Sequence, residues 1–282
     1  MSASAITATG RAEDHELRFE FGKNWSRFLQ TLDESRVREA EQSLQRALRL
    51  EDLSGKSFLD LGSGSGLFSL AARRLGARVH SFDYDLDSVG CTRTLRERFF
   101  PDDSRWTVER GSALDENYIR TLGKFDVVYS WGVLHHTGDL WTALAYSTEC
   151  VRQGGLFLIS IYNDQGRMSR FWKVVKRTYN RLPRPLRFLV LAPTAAAILG
   201  STAVRDLLVL APFQTWRRYR ERRGMSPWHD VVDWVGGYPF QVANPDDIFD
   251  FCDQRGFRLR SLKTCGGKMG CNEFVFMKEN RR

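Results

Sequence analysis

Apolar and polar positions change period several times along this chain. From Leu32 to Leu50, Val37, Ala40, Leu44, Ala47 and Leu48 recur at helical spacing among Glu and Arg, which predicts an amphipathic helix lying on an apolar body. Phe19, Phe21, Trp25 and Phe28 form an aromatic-rich approach to it. From Lys56 short apolar runs alternate with helical stretches, the pattern of βαβ units stacked into a parallel sheet with helices on both faces. Five strands are expected at Ser57 to Leu61, Arg78 to Tyr84, Trp106 to Gly111, Phe125 to Trp131 and Gly155 to Tyr162. Helices are expected at Leu67 to Leu75, Leu86 to Phe99 and Leu140 to Arg152.

After Asn163 the alternation stops and resumes only at Asn244, where Asn-Pro-Asp-Asp supplies an N-cap, a first-turn proline and two acids matched to the helix dipole. Phe257 to Thr264 and Glu273 to Lys278 then predict two more strands, antiparallel to one another across the turn at Gly266, Gly267 and Gly270. The fold class is therefore α/β: a Rossmann-like, doubly wound sheet of seven strands. Its divisions are an N-terminal tail and helical cap (1–54), a core (55–164), a helical insertion after the fifth strand (165–242) and the C-terminal part of the core (243–282).

The first strand runs into Asp60-Leu61-Gly62-Ser63-Gly64-Ser65-Gly66 and then directly into a helix, so three glycines stand where backbone must approach a ligand closely. The second strand ends in Asp83, 21 residues after Gly62, where a carboxylate in a mononucleotide-binding half-fold accepts hydrogen bonds from ribose hydroxyls. A dinucleotide fingerprint needs G-x-G-x-x-G, and here Leu67 stands at its third glycine. A carboxylate at Asp60 would also repel a pyrophosphate. S-adenosylmethionine, with an ammonium, a sulfonium, a ribose and no phosphate, suits the loop better.

Asp-x-Gly-x-Gly-x-Gly followed by a later strand-end acid resembles the class I S-adenosylmethionine-dependent methyltransferases, over roughly Lys56 to Asn163 and more loosely Asn244 to Lys278. The resemblance implies S-adenosyl-L-methionine as cofactor. It places Asp60 toward the methionine amino group through backbone or water, has Gly62, Ser63, Gly64 and Gly66 line the cofactor, and gives Asp83 the ribose and Tyr84 the adenine. Gly111-Ser112-Ala113 matches the segment that touches the adenine amino group; many members carry Asp where Ser112 stands, so a side-chain bond there does not carry over. Ser130-Trp131-Gly132-Val133-Leu134-His135-His136-Thr137 is similar to the family segment that passes the methionine moiety and faces the acceptor.

Methyl transfer is an in-line displacement at carbon, so the protein's main task is to hold the nucleophile roughly 3–3.5 Å from the methyl group. A base is needed where the acceptor is protonated. His135 is the first candidate because imidazole titrates near neutrality, with His136, Tyr162 and Asp164 behind it. Asp139 reads as the cap of the following helix. Trp25 reads as packing of the N-terminal cap, with a lid over the cofactor as the other reading.

Charge changes the picture in one region. The chain carries 42 Lys and Arg against 34 Asp and Glu, a net +8, yet Arg167 to Arg223 alone holds 14 basic residues and two acidic ones. A local basic block in a mildly acidic body points to a surface with its own partner. Arg170, Lys173, Lys176, Arg177 and Arg181 alternate with Phe171, Trp172, Val174, Val175 and Tyr179, a basic amphipathic helix suited to an anionic membrane surface. Phe188 to Val204 carries no charge but is too short to span, and Leu207 to Trp216 adds a further apolar run before Arg217, Arg218, Arg220, Arg222 and Arg223.

In placement and character this insertion resembles that of the ubiquinone-biosynthetic O-methyltransferases, which associates with lipid. The other readings are a helical lid with solvated arginines, or a phosphate grip on RNA or a phosphorylated acceptor.

The five cysteines are scattered without a C-x-x-C pair, so no zinc site or disulfide framework is signalled, and Met1 to Asp14 lacks an apolar signal segment. The expected location is the cytoplasm, with membrane association through the insertion. No Asp/Asn-Pro-Pro-aromatic loop follows the fourth strand and no cysteine follows a proline, so the exocyclic-amine and C5-cytosine DNA methyltransferases are not matched. The expected activity is methyl transfer to an oxygen or nitrogen of a small molecule, amphiphilic or lipid-linked. The alternatives are an RNA methyltransferase and a non-catalytic cofactor-binding protein.

Overall fold

The computed structural model describes residues 18–208 and 227–279. Its contacts gather into two units, Trp25–Gln165 with Gln241–Arg282, and Met1–Asn24 with Gly166–Phe240. The tail Met1 to Asp14, the apolar stretch from Val209 to Trp216 and the arginines from Arg217 to Arg223 lie outside the described residues.

The first unit contains most of helix α1 (Gly22–Gln30) and all of α2 (Glu34–Leu48). The Asp33 carboxylate caps α2 by accepting from the Arg36 N–H at 3.0 Å, and the helix buries Val37, Ala40, Leu44 and Leu48. Burying each leucine contributes about 1.5–3 kcal/mol relative to leaving it in water.

Seven strands follow: β1 (Ser57–Leu61), β2 (Arg78–Asp83), β3 (Trp106–Arg110), β4 (Phe125–Trp131), β5 (Val151–Tyr162), β6 (Phe257–Lys263) and β7 (Cys271–Lys278). They form one sheet in the order β3-β2-β1-β4-β5-β7-β6. The β2–β1–β4–β5 and β2–β3 pairs are parallel, whereas β7 runs antiparallel to both β5 and β6. Between them lie α3 (Leu67–Arg74), α4 (Leu86–Phe99), α5 (Glu116–Leu122) and α6 (Leu140–Glu149).

Successive residues of a strand point to opposite faces, and both faces here are covered. Phe58, Val79, Val127, Tyr129, Leu158 and Val275 pack with α2 to α4. Leu59, Phe82, Val128, Phe157, Ile159 and Phe276 pack on the other side with Ile119, Leu144, Ile248 and Cys252. Strand order reverses between β1 and β4, so the crevice at their carboxyl ends is where such a sheet binds its ligand.

Two elements depart from the sequence pattern. The helix α5 buries only Ile119, so it has no apolar period to announce it; its signal is the cap, where Asp115 accepts from the Tyr118 N–H at 3.1 Å. The strand β5 begins at Val151 because Phe125 pairs with Val151 but Val127 pairs with Leu156, leaving residues 152–155 bulged within the strand. The helix Pro245–Asp253 carries the expected cap, with Asp247 accepting from the Asn244 side-chain amide at 3.0 Å.

The second unit contains α7 (Arg167–Arg181), α8 (Phe188–Leu208, with Pro193 inside it) and α9 (Pro227–Gly236). Tyr179, Ala195, Val231 and Val235 form its core, with Phe19, Val190, Leu191 and Trp234 against them. Lys176 departs from the expected basic face: it is buried, bonds the Trp234 carbonyl, and holds its ammonium 4.1 Å from the Trp234 ring and 4.9 Å from that of Phe240. Met168, Phe171 and Val174 are exposed on α7, and Leu186, Phe188 and Leu189 follow them at the surface. No helix among the described residues is long and apolar enough to cross a membrane.

Candidate cofactor and acceptor site

The loop after β1 is held by backbone. The Gly62 and Ser63 N–H groups both donate to the Phe82 carbonyl, at 2.9 and 3.0 Å, which keeps the loop against the end of β2. Gly62 sits at φ +80°, and a Cβ there would lie 2.3 Å from Val133. Gly66 sits at φ +80° at the start of α3, where a Cβ would lie 2.8 Å from the Thr92 backbone. Positive φ and a filled Cβ position together leave no residue but glycine at either site. The Ser63 and Thr92 hydroxyls, 2.9 Å apart, tie the loop to α4.

Asp83 closes this loop. One carboxylate oxygen accepts from the Gly64 N–H at 2.9 Å and the other from the Asp85 N–H at 2.9 Å. Burial pushes its pKa up to about 6, and the charge of Asp85 adds to the rise against backbone bonds from Asp85, Gly64 and Tyr84. A carboxylate has about four lone-pair sites, more than these backbone bonds use, so acceptor capacity remains for a ligand hydroxyl.

Asp60 lies deeper. Its side chain is buried and accepts from the Ser69 hydroxyl at 2.5 Å. Ser69 Oγ is 2.7 Å from Ser81 Oγ, which accepts from the Trp106 indole N–H at 2.9 Å. Since the one hydroxyl proton of Ser69 goes to Asp60, that of Ser81 goes to Ser69, and a directed chain runs from Trp106 to the carboxylate. Burial pushes the Asp60 pKa up to about 7, opposed by the Ser69 bond and reinforced by the charge of Asp83. Asp60 thus fastens α3 to β1 and β2 with its side chain.

Tyr84 is 47% exposed, with the Arg110 guanidinium 5.3 Å from its ring centroid. Ser112 turns its hydroxyl to the Leu114 N–H at 3.2 Å, and Ala113 is buried. Ser130 is buried and donates to the Leu61 carbonyl at 3.1 Å, joining β4 to the loop entrance, while Trp131 is 48% exposed.

At the ends of β4 and β5 the structure brings His135, His136 and Tyr162 together. The His135 ring lies 4.0 Å from that of Tyr162 and 4.5 Å from that of His136, and His136 lies 5.4 Å from Tyr162. His135 is fully buried, and its Nδ1 accepts from the Tyr162 N–H at 3.4 Å, which assigns the proton of the neutral ring to Nε2. His136 and Tyr162 are half-buried.

A short strap, Gln241 to Ala243, stitches the two strand ends together. The Gln241 N–H donates to the His135 carbonyl at 3.0 Å, its side-chain oxygen accepts from the Leu140 N–H at 2.9 Å, and the Ala243 N–H donates to the Tyr162 carbonyl at 3.0 Å. Sequence reasoning missed Gln241, because a glutamine some hundred positions from its partners carries no local signal. Asp139 caps α6 as expected, accepting from the Thr142 N–H at 3.2 Å.

These groups fit S-adenosylmethionine. The glycine positions are cradled so tightly that only backbone can face a ligand, and Asp83 offers acceptors toward a ribose. The exposed rings of Tyr84 and Trp131 flank the loop, and the carboxyl groups of buried Asp60 and half-buried Asp83 favour a cation over a phosphate.

Comparison with known proteins agrees. Residues 32–260 match the family model described as a methyltransferase domain. The chain is 31% identical over 115 residues to the ubiquinone biosynthesis O-methyltransferase of Methylobacterium sp. (strain 4-46), covering 40% of this chain and 43% of that one. It is 32% identical over 124 residues to the protein of the same name from Paramagnetospirillum magneticum, covering 44% and 46%. The chain thus spans less than half the length of these relatives.

Among solved structures, an O-methyltransferase family protein from Burkholderia thailandensis aligns with a TM-score of 0.53 at 12% identity, over 87% of this chain and 58% of that one. The N-methyltransferase NodS from Bradyrhizobium japonicum WM9, in complex with S-adenosyl-L-homocysteine, aligns with a TM-score of 0.51 at 13% identity, over 93% and 100%. At such identities these structures show the shared fold. The family match takes in α2, the glycine loop, the strap and most of β6, and by it the chain belongs to the methyltransferase-domain family, with S-adenosylmethionine as its cofactor.

Proposed function

We propose that this chain transfers a methyl group from S-adenosylmethionine to an oxygen or nitrogen of a small, amphiphilic or lipid-linked acceptor. The observation that carries the reading is the junction of the glycine loop with the histidine–tyrosine cluster: Val133, two residues before His135, packs onto Gly62. Cofactor contacts and proton-accepting groups therefore share one short segment. Bound in the loop, the cofactor supplies an electrophilic methyl group on a sulfonium.

The chain's own residues do the rest. His136, half-buried beside Tyr162, takes the proton that an acceptor hydroxyl or ammonium must lose. His135, buried with Nδ1 committed to the Tyr162 N–H, orients its two neighbours. Trp131 and Tyr162 give a planar acceptor apolar surface and exclude water.

The amphiphilic character of the acceptor is supported by α7, where Met168, Phe171 and Val174 are exposed among exposed Arg167, Arg170 and Lys173. That combination favours an anionic lipid surface. The relatives' name, ubiquinone biosynthesis O-methyltransferase, supports the same class of acceptor.

The test is transfer of labelled methyl to catechol, to a polyprenylated catechol in anionic vesicles and to a primary amine. The vesicle-borne catechol should turn over fastest, and His136→Gln should slow it about 10²–10⁴-fold near neutral pH. Turnover of none of the three, by a preparation that binds S-adenosylhomocysteine, would sink the proposal.

A further inference from the structure

Trp25 stands on the central glycine of the cofactor loop. The position a Cβ would take on Gly64 lies 3.1 Å from the indole Nε1, 3.3 Å from Cε2 and 3.7 Å from Cδ1, so the pyrrole edge of the ring rests on the loop itself. Gly64 also turns its N–H to Asp83. Indole, glycine and the ribose-side acid therefore form one continuous line of contacts.

Packing alone does not account for this placement. The core contacts of α1 are made by Phe28 and Leu29, which pack on the apolar layer shared with α2 to α4, and Trp25 is not among them. Its ring is only half-buried and meets the edge of Phe28 at 6.2 Å. The indole N–H, a group that can only donate, has no acceptor among the described residues. A tryptophan used for its apolar area alone would be turned inward, where the large ring contributes most.

The helix that carries Trp25 is tied to the same loop. Ser26 Oγ lies 3.4 Å from Cys91 Sγ on α4. The next residue, Thr92, holds the Ser63 hydroxyl and fills the space beside Gly66. The helix α1, the middle of α4, Gly64 and Gly66 thus form one contact network with a donor left over at its centre.

We infer that Trp25 is a cofactor-binding residue: α1 lays its indole on Gly64 as a wall of the S-adenosylmethionine site, with the Nε1–H donating to an oxygen of the bound cofactor. The cofactor carries such oxygens on its ribose and its carboxylate. The inference rests on the assignment of the Gly62–Gly66 loop to that cofactor.

The experiment is calorimetric titration of the full chain with S-adenosylhomocysteine, for wild type, Trp25→Phe, Trp25→Ala and Asp83→Ala, with amide exchange across residues 22–30. Loss of the N–H in Trp25→Phe should weaken binding about 3- to 10-fold, as expected for one net hydrogen bond. Trp25→Ala should weaken it further, and ligand should slow exchange in residues 22–30 of wild type. If Trp25→Ala does not fold, Trp25→Phe and the exchange pattern decide.

Equal or tighter binding by both Trp25 variants, with Asp83→Ala still impaired, would leave the loop assignment standing and overturn the role of Trp25. Failure of the wild type to bind would overturn both. A purely structural Trp25 would lower the melting temperature of the ligand-free chain and leave affinity unchanged.

Discussion

Replacing Asp60 with asparagine should remove a large part of the pH dependence of folding. Burial raises the pKa of Asp60 from 3.8 to about 7, and each tenfold change in an ionisation constant corresponds to about 1.4 kcal/mol. The total is about 4 kcal/mol. Because the folded value lies above the unfolded one, the native chain keeps its proton between about pH 4 and pH 7 while the unfolded chain has lost it. Stability therefore falls as pH rises through that window and levels off above about 7. Asp83, raised to about 6 by burial, acts in the same direction over the lower part of the window.

Asparagine can still accept from Ser69 through its carbonyl oxygen, and its amide occupies the place of the protonated carboxyl oxygen, so the chain from Trp106 through Ser81 and Ser69 survives. The assay is urea unfolding of wild type and Asp60→Asn at pH 4.5, 6 and 7.5 and constant ionic strength, without ligand. The variant should gain on the wild type by about 3–4 kcal/mol between the first and last pH, a large share of the roughly 5–15 kcal/mol stability of a typical protein. A difference that stays constant with pH would refute the assignment of a buried, proton-holding carboxyl at this position.

Asp83→Ala should weaken S-adenosylhomocysteine binding by about 10-fold or more without unfolding the protein, since charge-assisted bonds to a ligand contribute about 1.5–3 kcal/mol each; calorimetry measures it, and unchanged affinity would count against the ribose role. Gly62→Ala should abolish cofactor binding, because the added methyl meets Val133 at 2.3 Å and the residue sits at φ +80°. Adding Val133→Ala to that variant should recover stability only in part, as the backbone strain of about 1–3 kcal/mol remains.

Much of the fold was legible because the sheet alternates with its helices at regular spacing, and β1, β4 and α4 fall where the apolar pattern put them. The glycine loop and Asp83 were legible for a different reason: positive φ and close backbone approach admit few residue types, so local sequence reports them. The orientation of Asp60 was not, since its partners Ser69 and Ser81 come from other elements and ordinary serines carry no mark of the contact. The burial of Lys176 leaves no trace in the sequence because its aromatic neighbours Trp234 and Phe240 lie about sixty positions away. Long-range pairing decides such positions, and periodicity sees only neighbours.

The meeting of Asp164 with Ala243 has one more consequence. The Asp164 N–H donates to the Ala243 carbonyl at 3.2 Å, and Asn163 bridges to Ala243, so the chain leaves the sheet and returns to it through a single doorway. Loop closure across a gap already closed by the scaffold costs little more as the intervening chain lengthens, roughly 0.6 kcal/mol per doubling. The scaffold can accordingly host intervening segments of very different length while the ends of β4 and β5 stay stitched. A swap of the whole segment between two such scaffolds, cut at Gln165 and Gln241, should leave the hydrogen bonds of Asp164 and Ala243 in place, and cofactor affinity of the hybrid measures it.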